Sequence, residues 1–165
     1  MKSIAVTGRR PAYLPWGYDE GDTRAVALKN RLKYTISGLI DDGYTTFYVG
    51  MAEGVDTYIV EILLMLKMHY GYSNISIQAV IPFREFCARW SQSSRDRYYM
   101  LLGLVDRVIT MSETYDERAI FMRNKYMVDN SDMVLAVYDN IKNGGTYNTL
   151  MYARSIGKDV RVEEI

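Results

Sequence analysis

The segment Asp132–Thr149, DMVLAVYDNIKNGGTYNT, decides the fold class of this chain. Its first seven residues form an almost unbroken apolar run, which is typical of a strand buried on both faces of a sheet. The glycine pair Gly144 and Gly145 follows, and then the hydroxyl side chains of Thr146 and Thr149. A buried strand, a glycine turn and a helix in this order predict one unit of a parallel α/β sheet.

The same alternation continues on both sides of this segment. Short β-branched or apolar runs predict strands, and stretches with apolar residues three or four positions apart predict helices. The predicted strands are Ser3–Thr7, Thr45–Val49, Ile75–Ile81, Leu104–Ile109, Asp132–Tyr138 and Asp159–Val162. The predicted helices are Thr23–Asp42, Glu53–Tyr70, Arg84–Leu102, Asp116–Val128 and Thr146–Ile156. This pattern predicts one three-layer α/β domain over residues 1–165, with a mostly parallel sheet and helices on both faces.

The composition excludes several classes of function. Lys plus Arg and Asp plus Glu number 20 each, so the formal net charge is zero, unlike that of a dedicated duplex-DNA or RNA binder. His69 is the only histidine and Cys87 the only cysteine, which argues against a metal cluster, a disulfide and a histidine-based triad. No apolar stretch reaches the roughly 20 residues that span a bilayer, and the N-terminal apolar run is too short for a signal peptide. We therefore expect a cytoplasmic protein with no membrane partner, no metal and no cofactor.

The residues that directly follow the predicted strands are the candidates for a binding site, because ligands of open parallel sheets bind beyond the carboxyl ends of the strands. After the first strand, a glycine allows close backbone approach and two arginines offer permanent donors that suit phosphate. After the second strand, two glycines four positions apart open a helix, whose free amides attract anions. The candidates from these two loops are Thr7, Gly8, Arg9, Gly50, Met51, Gly54 and Asp56.

Three later segments add to this set. A proline and an aromatic residue follow the third strand, where a ring can form one wall of a base pocket. An arginine and an asparagine lie on the helix before the fifth strand, and the paired glycines with their hydroxyl residues make an anion nest after it. Each segment, taken alone, is also compatible with an ordinary turn or a surface helix. The added candidates are Pro82, Phe83, Arg123, Asn124, Gly144, Gly145, Thr146 and Thr149.

Five motifs in a fixed order carry a family resemblance. They are TGRRP at 7–11, VGMAEGVDT at 49–57, IPF at 81–83, RNKYMVD at 123–129 and GGTYNT at 144–149. Together they resemble the SLOG superfamily, the Rossmann-like group named for Smf/DprA and Lonely Guy proteins, and in particular its small stand-alone, YpsA-like bacterial and phage branch. The resemblance implies a Rossmann-like fold with a nucleotide-type ligand at the carboxyl edge of the sheet. With the 15 tyrosines, it also implies a homo-oligomer.

The branches of this superfamily differ in function. Lonely Guy enzymes hydrolyse the N-glycosidic bond of nucleoside monophosphates with an arginine, which Arg123 matches, and with a glutamate after the Gly-Gly loop. Met151 or Tyr152 stands where that glutamate is expected, so the catalytic carboxylate of this branch is missing. Glu53 or Asp56, in the segment after the second strand, is the alternative that could take the place of this catalytic glutamate.

The leading expectation is non-catalytic binding of a nucleotide-derived small molecule, such as an NAD-derived or cyclic nucleotide signal, by a sensor or a phage-encoded sponge in anti-phage defence. One alternative is a Lonely Guy-like phosphoribohydrolase. The other is DprA-like binding of single-stranded DNA, for which several arginines would form a small basic groove beside stacking rings. These arginines are Arg9, Arg10, Arg84, Arg89 and Arg123.

The leading expectation also assigns a role to each kind of candidate. The backbone amides of the glycine loops cradle phosphate, and Arg9 and Arg123 neutralise its charge. Asp56 holds a ribose or orients an arginine, while Phe83 or an aromatic residue of the loop 13–18 stacks on the base.

Overall fold

The computed structural model describes residues 1–165 and contains one six-stranded sheet with five α-helices. The strands are β1 Lys2–Gly8, β2 Tyr44–Val49, β3 Ser76–Phe83, β4 Arg107–Ser112, β5 Met133–Tyr138 and β6 Asp159–Glu164. The helices are α1 Thr23–Asp41, α2 Val55–His69, α3 Gln92–Leu102, α4 Glu117–Asp129 and α5 Gly144–Ser155, with a 3-10 turn at Pro11–Tyr13. Every neighbouring pair of strands is parallel, so the predicted Rossmann-like α/β class is confirmed.

The strand order β4-β3-β2-β1-β5-β6 reverses at β1. The chain first moves outward from β1 to β4 and then returns to the other side of β1 to form β5. Right-handed crossovers therefore place α1, α2 and α3 on one face of the sheet and α4 and α5 on the other. Such a reversal opens a crevice between β1 and β5 at the carboxyl edge of the sheet.

The buried strands divide their side chains between two apolar layers. In β1, Ile4 and Val6 join the larger cluster with the first three helices, whereas Ala5 joins the smaller cluster with α4 and α5. In β5, Leu135 and Val134 divide in the same way. The alternation follows from the two-residue period of a strand, and it explains why the buried residues of these strands are apolar on both faces.

Most predicted elements differ from the structure by one or two residues at an end, and two predicted starts differ by more. The helix predicted from Arg84 begins only at Gln92, because residues 84–90 form turns and Glu85 has a φ of 60°. The side chain of Ser91 then caps α3 by accepting a hydrogen bond from the amide of Ser94. The fourth strand begins at Arg107 rather than at Leu104, since the residues between them close the end of α3.

A side-chain cap begins α1, α3 and α4, whereas α2 and α5 begin without one. Asp22 accepts a hydrogen bond from the amide of Arg24 and begins α1. Helix α5 begins at Gly144, two residues before its predicted start, so Thr146 lies in its first turn. None of the five helices is long and apolar enough to cross a membrane.

Backbone strain gathers at the carboxyl edge of the sheet. The only residues other than glycine with a positive φ are Met51, Glu85 and Asn140. They lie in the loops after β2, β3 and β5, respectively. Such conformations cost about 1–3 kcal/mol each and are concentrated at ligand sites. The distribution of strain therefore points to the same edge as the strand order.

Candidate functional site

A cavity of about 290 Å³, here called the β1–β5 cavity, opens where the strand order reverses. Its walls come from the loops after β1 and β2, from α4 and from the first turn of α5. Nine predicted site residues line it, namely Thr7, Gly8, Arg9, Gly50, Asp56, Arg123, Asn124, Gly145 and Thr146. The fold thus brings together side chains from loops that are far apart in sequence.

Arg9 is a buried side chain whose donors are mostly used within the protein. Its Nε and Nη2 donate to Oδ1 of Asp139 at 3.1 and 2.8 Å. Nη2 also donates to the carbonyl of Ile141, and Nη1 to that of Asn143, both at 2.7 Å. Arg9 therefore holds the loop after β5 in place and forms one fixed wall of the cavity. Partial burial alone would raise the pKa of Asp139, but the hydrogen bond and charge of Arg9 lower it.

Arg123 forms the opposite wall from α4 and is also buried. Its Nη1 donates to the carbonyls of Gly50 and Val80, and its Nε donates to Oδ1 of Asn124 at 2.7 Å. Burial lowers the pKa of Arg123 to about 10, although the charge of Asp56 opposes this effect. The guanidinium therefore remains protonated at neutral pH, and its Nη2 makes no hydrogen bond within the protein.

Asp56 is the only carboxylate that lines the β1–β5 cavity. It lies in the first turn of α2, and its Oδ2 accepts a hydrogen bond from the amide of Ala52 at 3.0 Å. Burial raises the pKa of Asp56, and the positive charge of Arg123 acts in the opposite direction. No ion pair within 4 Å joins the two groups, so each retains polar capacity that faces the cavity.

Two glycines are needed for this arrangement. A Cβ atom at Gly50 would lie 2.8 Å from Cζ of Arg123 and 3.1 Å from Oδ2 of Asp56. Gly54 has a φ of 87°, and a Cβ atom there would lie 2.7 Å from the carbonyl oxygen of Arg9. The second motif therefore uses its glycines to bring the two charged side chains and the two loops close together.

Arg10 differs from the other two arginines of the cavity. It is exposed, and it makes no hydrogen bond or ion pair with its side chain. Its guanidinium carbon lies 5.6 Å from the centre of the Phe86 ring. It is therefore the one cation of the cavity that is free to bind an anion with all its donors.

The first turn of α5 adds backbone donors. Gly145 and Thr146 line the cavity, and the first four amides of a helix have no partner within the helix. These amides and the helix dipole favour a bound anion. The hydroxyl of Thr149 donates to the carbonyl of Gly145 at 2.8 Å, so it supports this turn.

Six predicted site residues lie outside the lining of the cavity. Gly54 and Gly144 lie beside Arg9, and Thr149 lies within the helix turn. Met51 and Pro82 are buried at the ends of β2 and β3. The sixth residue, Phe83, lines a neighbouring cavity.

The candidate site residues do not include six that line the cavity, although the basic-groove alternative names Arg10 and the aromatic loop 13–18 contains Tyr13. These six are Val6, Arg10, Tyr13, Ala52, Ile120 and Met127. Helical spacing offered a signal for two of them, because Ile120 and Met127 share the face of Arg123 at three and four positions from it. Arg10 offers the same permanent donors as Arg9, and the sequence does not show which of the two is free to bind a ligand.

The long loop after β1 is fastened to α2 and α3. Nε1 of Trp16 donates to the hydroxyl of Tyr58 at 3.1 Å, and the hydroxyl of Tyr18 donates to Glu53 at 2.9 Å. Glu20 forms ion pairs with Lys29 and Arg97. These contacts fix the segment that carries Arg10 and Tyr13 toward the cavity.

Comparisons with known proteins agree with this architecture. The model of the YspA SLOG family (YpsA) matches residues 4–160. The chain is also similar to UPF0398 proteins from Bacillus thuringiensis strain Al Hakam and Bacillus cereus strain AH187. Each is 27% identical to it over 161 residues, which are 96% of this chain and 85% of the relative.

Proposed function

The chain belongs to the YspA SLOG family, as its five motifs predicted, and on this premise we propose that it binds a nucleotide-derived small molecule in the β1–β5 cavity without turning it over. Family membership supports a nucleotide-related ligand-binding role. The class of ligand, the site and the lack of turnover are the proposal. A role as a sensor or as a sponge for such a molecule follows from binding without turnover.

One observation carries this proposal. At the switch point of the sheet, a single cavity combines the first turn of α5, the free cation Arg10 and the buried pair Arg123 and Asp56. Its volume of about 290 Å³ lies near the lower end of the range of about 300–1,000 Å³ for small-molecule sites. The size favours one nucleotide unit within this cavity.

The polar groups suit the parts of a nucleotide. The amides of Gly145 and Thr146 can donate to a phosphate, and Arg10 can neutralise it. Asp56 has an acceptor oxygen left for the hydroxyl groups of a ribose, because only its Oδ2 accepts a bond from the protein. Arg123 has Nη2 left as a donor on the same wall.

The absence of a second carboxylate favours binding over hydrolysis. Met151 and Tyr152 follow the Gly-Gly loop on α5, where Lonely Guy enzymes carry a glutamate. Glu53 is bonded to Tyr18 and does not line the cavity. Asp56 is the only acid available, and general acid–base chemistry at a glycosidic bond would rest on it alone.

Asp56 also supports a second candidate function, the hydrolysis of the N-glycosidic bond of a nucleotide. A buried carboxyl whose pKa is raised, beside a buried arginine, is the kind of group that acts as a general acid. If it protonates the leaving base while a water molecule adds to C1′ of the ribose, the protein is a nucleotide N-glycosidase. The two candidates use the same cavity and differ in turnover.

The test of binding uses two helical glycines. A Cβ atom at Gly145 meets nothing within 4 Å, and the same holds for Gly38 on the exposed side of α1. Gly145→Leu therefore fills the cavity without disturbing the fold, and Gly38→Leu is its matched control. Both gain about the same helix propensity.

The assay begins with mass spectrometry of small molecules released from the denatured wild-type protein. Thermal shift and calorimetry with AMP, ADP-ribose and NAD follow. A ligand at 100 times its dissociation constant should stabilise the wild type and Gly38→Leu by about 2.7 kcal/mol, and should leave Gly145→Leu unstabilised. A Gly145→Leu variant that binds as well as the wild type refutes the site.

Turnover is measured in the same samples. Under the leading proposal, chromatography finds no free base after incubation of the wild type with excess AMP or NAD. Free base that accumulates beyond one equivalent, and that Asp56→Asn abolishes, establishes the N-glycosidase instead.

A further inference from the structure

A second cavity, here called the Phe86 cavity, adjoins the β1–β5 cavity and has a volume of about 710 Å³. It lies beyond the carboxyl ends of β3 and β4, between the turns at 84–90 and the residues 113–115. Arg10 and Ile120 line both cavities, so the two are contiguous. The Phe86 cavity is the larger of the two, and the proposed function leaves it without a role.

The walls of the Phe86 cavity are aromatic and rigid at their base. Phe83 and Phe86 are buried and pack edge to face, with ring centres 5.6 Å apart. Phe86 contacts Trp90 in the same way at 5.4 Å, and Phe83 contacts Tyr115 at 5.2 Å. Tyr115 is 68% exposed, although it is held by a buried ring. The buried rings therefore support Tyr115 and the half-buried Trp90, and these two residues offer ring surface on which a planar base can stack.

The cations of this cavity are incompletely paired. Arg84 forms an ion pair with Glu113 at 2.9 Å, and both side chains are exposed. Arg10 and Arg89 form no ion pair and no side-chain hydrogen bond. Arg10 lies beside the Phe86 ring at the junction of the two cavities. A phosphate held between the cavities would therefore meet a free guanidinium.

The acidic residues limit the ligand to a small anion. Glu85 and Glu113 line the same cavity, so its three arginines leave a net charge of only about one. A single strand of nucleic acid places one phosphate per base along a basic groove, and this cavity does not offer such a groove. A molecule with two bases and one short phosphate bridge fits both the charge and the two contiguous volumes.

We infer that the Phe86 cavity receives the second base of a dinucleotide, in which two nucleoside units are joined by a phosphate bridge that lies at Arg10. The inference rests on the proposed function, since it places the first nucleoside unit in the β1–β5 cavity. It specifies the ligand class as a molecule with two bases.

The experiment compares three probes by calorimetry: AMP, ADP and diadenosine diphosphate. ADP carries the diphosphate with one base, so it separates the effect of the phosphates from that of the second base. Diadenosine diphosphate should bind at least about fivefold more tightly than ADP, because stacking of one base adds about five- to 150-fold in affinity.

The variants test the ring surface of Tyr115 without touching the first cavity. Tyr115→Ala should lower the affinity for diadenosine diphosphate about five- to tenfold and leave the affinities for AMP and ADP unchanged. Tyr34→Ala, which removes an 83% exposed tyrosine from α1, is the matched control and should change none of the three. The change is confined to exposed side chains, so both variants should fold.

Fluorescence gives an independent readout, because Trp90 lines the Phe86 cavity and Trp16 is the only other tryptophan. Diadenosine diphosphate should quench the tryptophan fluorescence of the wild type, and AMP should not. Replacing Trp90 with Phe should remove the quenching.

Three results overturn the inference. Equal affinities for ADP and diadenosine diphosphate mean that the second base makes no favourable contact with the Phe86 cavity. Tighter binding of oligo-dT than of diadenosine diphosphate means that the ligand is a nucleic-acid strand and not a dinucleotide. Failure of all three nucleotides to bind, with Gly145→Leu no different from the wild type, refutes the proposed function itself and with it the premise of the inference.

Discussion

The buried ion pair between Arg9 and Asp139 gives a prediction that does not depend on the ligand. Only 2% of the Arg9 side chain and 15% of the Asp139 side chain are exposed. Asp139→Asn keeps the shape and an acceptor oxygen but leaves the guanidinium without a counter-charge. Removing one partner of a buried pair costs about 3–5 kcal/mol, and a charged hydrogen bond contributes about 1.5–3 kcal/mol. Because the carbonyls of Ile141 and Asn143 still accept from Arg9, we expect a loss of about 2–3 kcal/mol.

The same pair sets a pH dependence. Partial burial raises the pKa of Asp139, but Arg9 outweighs it and holds the pKa below its ordinary value of 3.8. A carboxylate whose pKa is depressed by folding contributes stability above its unfolded pKa and loses it as the pH falls through the folded pKa. The difference in the free energy of unfolding between the wild type and Asp139→Asn should therefore be largest above about pH 5 and should shrink below about pH 4.

Thermal unfolding followed by circular dichroism from pH 3 to pH 7 measures both effects. For a domain of this size the loss corresponds to a fall in Tm of about 4–12 °C at neutral pH. Asp41→Asn is the control, because Asp41 is exposed and has no side-chain partner. If Asp139→Asn melts within about 2 °C of Asp41→Asn at pH 7, or if the difference grows on acidification, the reasoning is wrong.

Three further substitutions test other parts of the structure. Gly50→Ala should displace the Arg123 guanidinium and lower nucleotide affinity at least about tenfold by calorimetry, since one lost charged contact is worth about that factor. Glu20→Gln should cost about 1–2 kcal/mol in thermal unfolding near pH 7. The hydrogen bond with Arg97 lowers the pKa of Glu20 to about 2, so this difference should disappear as the pH falls from about 4.5 to 2. Leu135→Ala, at a fully buried position of β5, should cost about 2–5 kcal/mol in chemical denaturation.

The fold class was predictable because apolar periodicity reports burial directly. The run in β5 is buried on both faces, as its lack of polar residues predicted. The bounds of β4 were not predictable in the same way. Leu104 and Val105 are apolar, but pairing with β3 sets the register of this edge strand and places Arg107 opposite Gln78. Local composition carries no information on that pairing.

The start of α3 shows a second kind of limit. Residues 84–90 have polar and aromatic side chains that suit a helix, yet Glu85 adopts a left-handed conformation. That turn lets Phe86 pack against Phe83, which buries both rings. A tertiary contact therefore overrides helix propensity here, and the same contact forms the floor of the Phe86 cavity.

The roles of Arg9 and Arg10 follow from the path of the chain as it leaves β1. The carbonyl of Arg9 accepts a hydrogen bond from the amide of Val55 at 3.2 Å, which fixes the backbone at this point. From there the side chain of Arg9 reaches Asp139, a partner 130 residues away, while the side chain of Arg10 lies beside Phe86. Two identical neighbours in the sequence thus divide into a cation that shapes the site and a cation that is free for a ligand. Because the difference depends on partners from β5 and the turn after β3, it arises only when the sheet is assembled. The sequence-based prediction assigns charge neutralisation to Arg9, whereas the structure leaves the donors of Arg10 free.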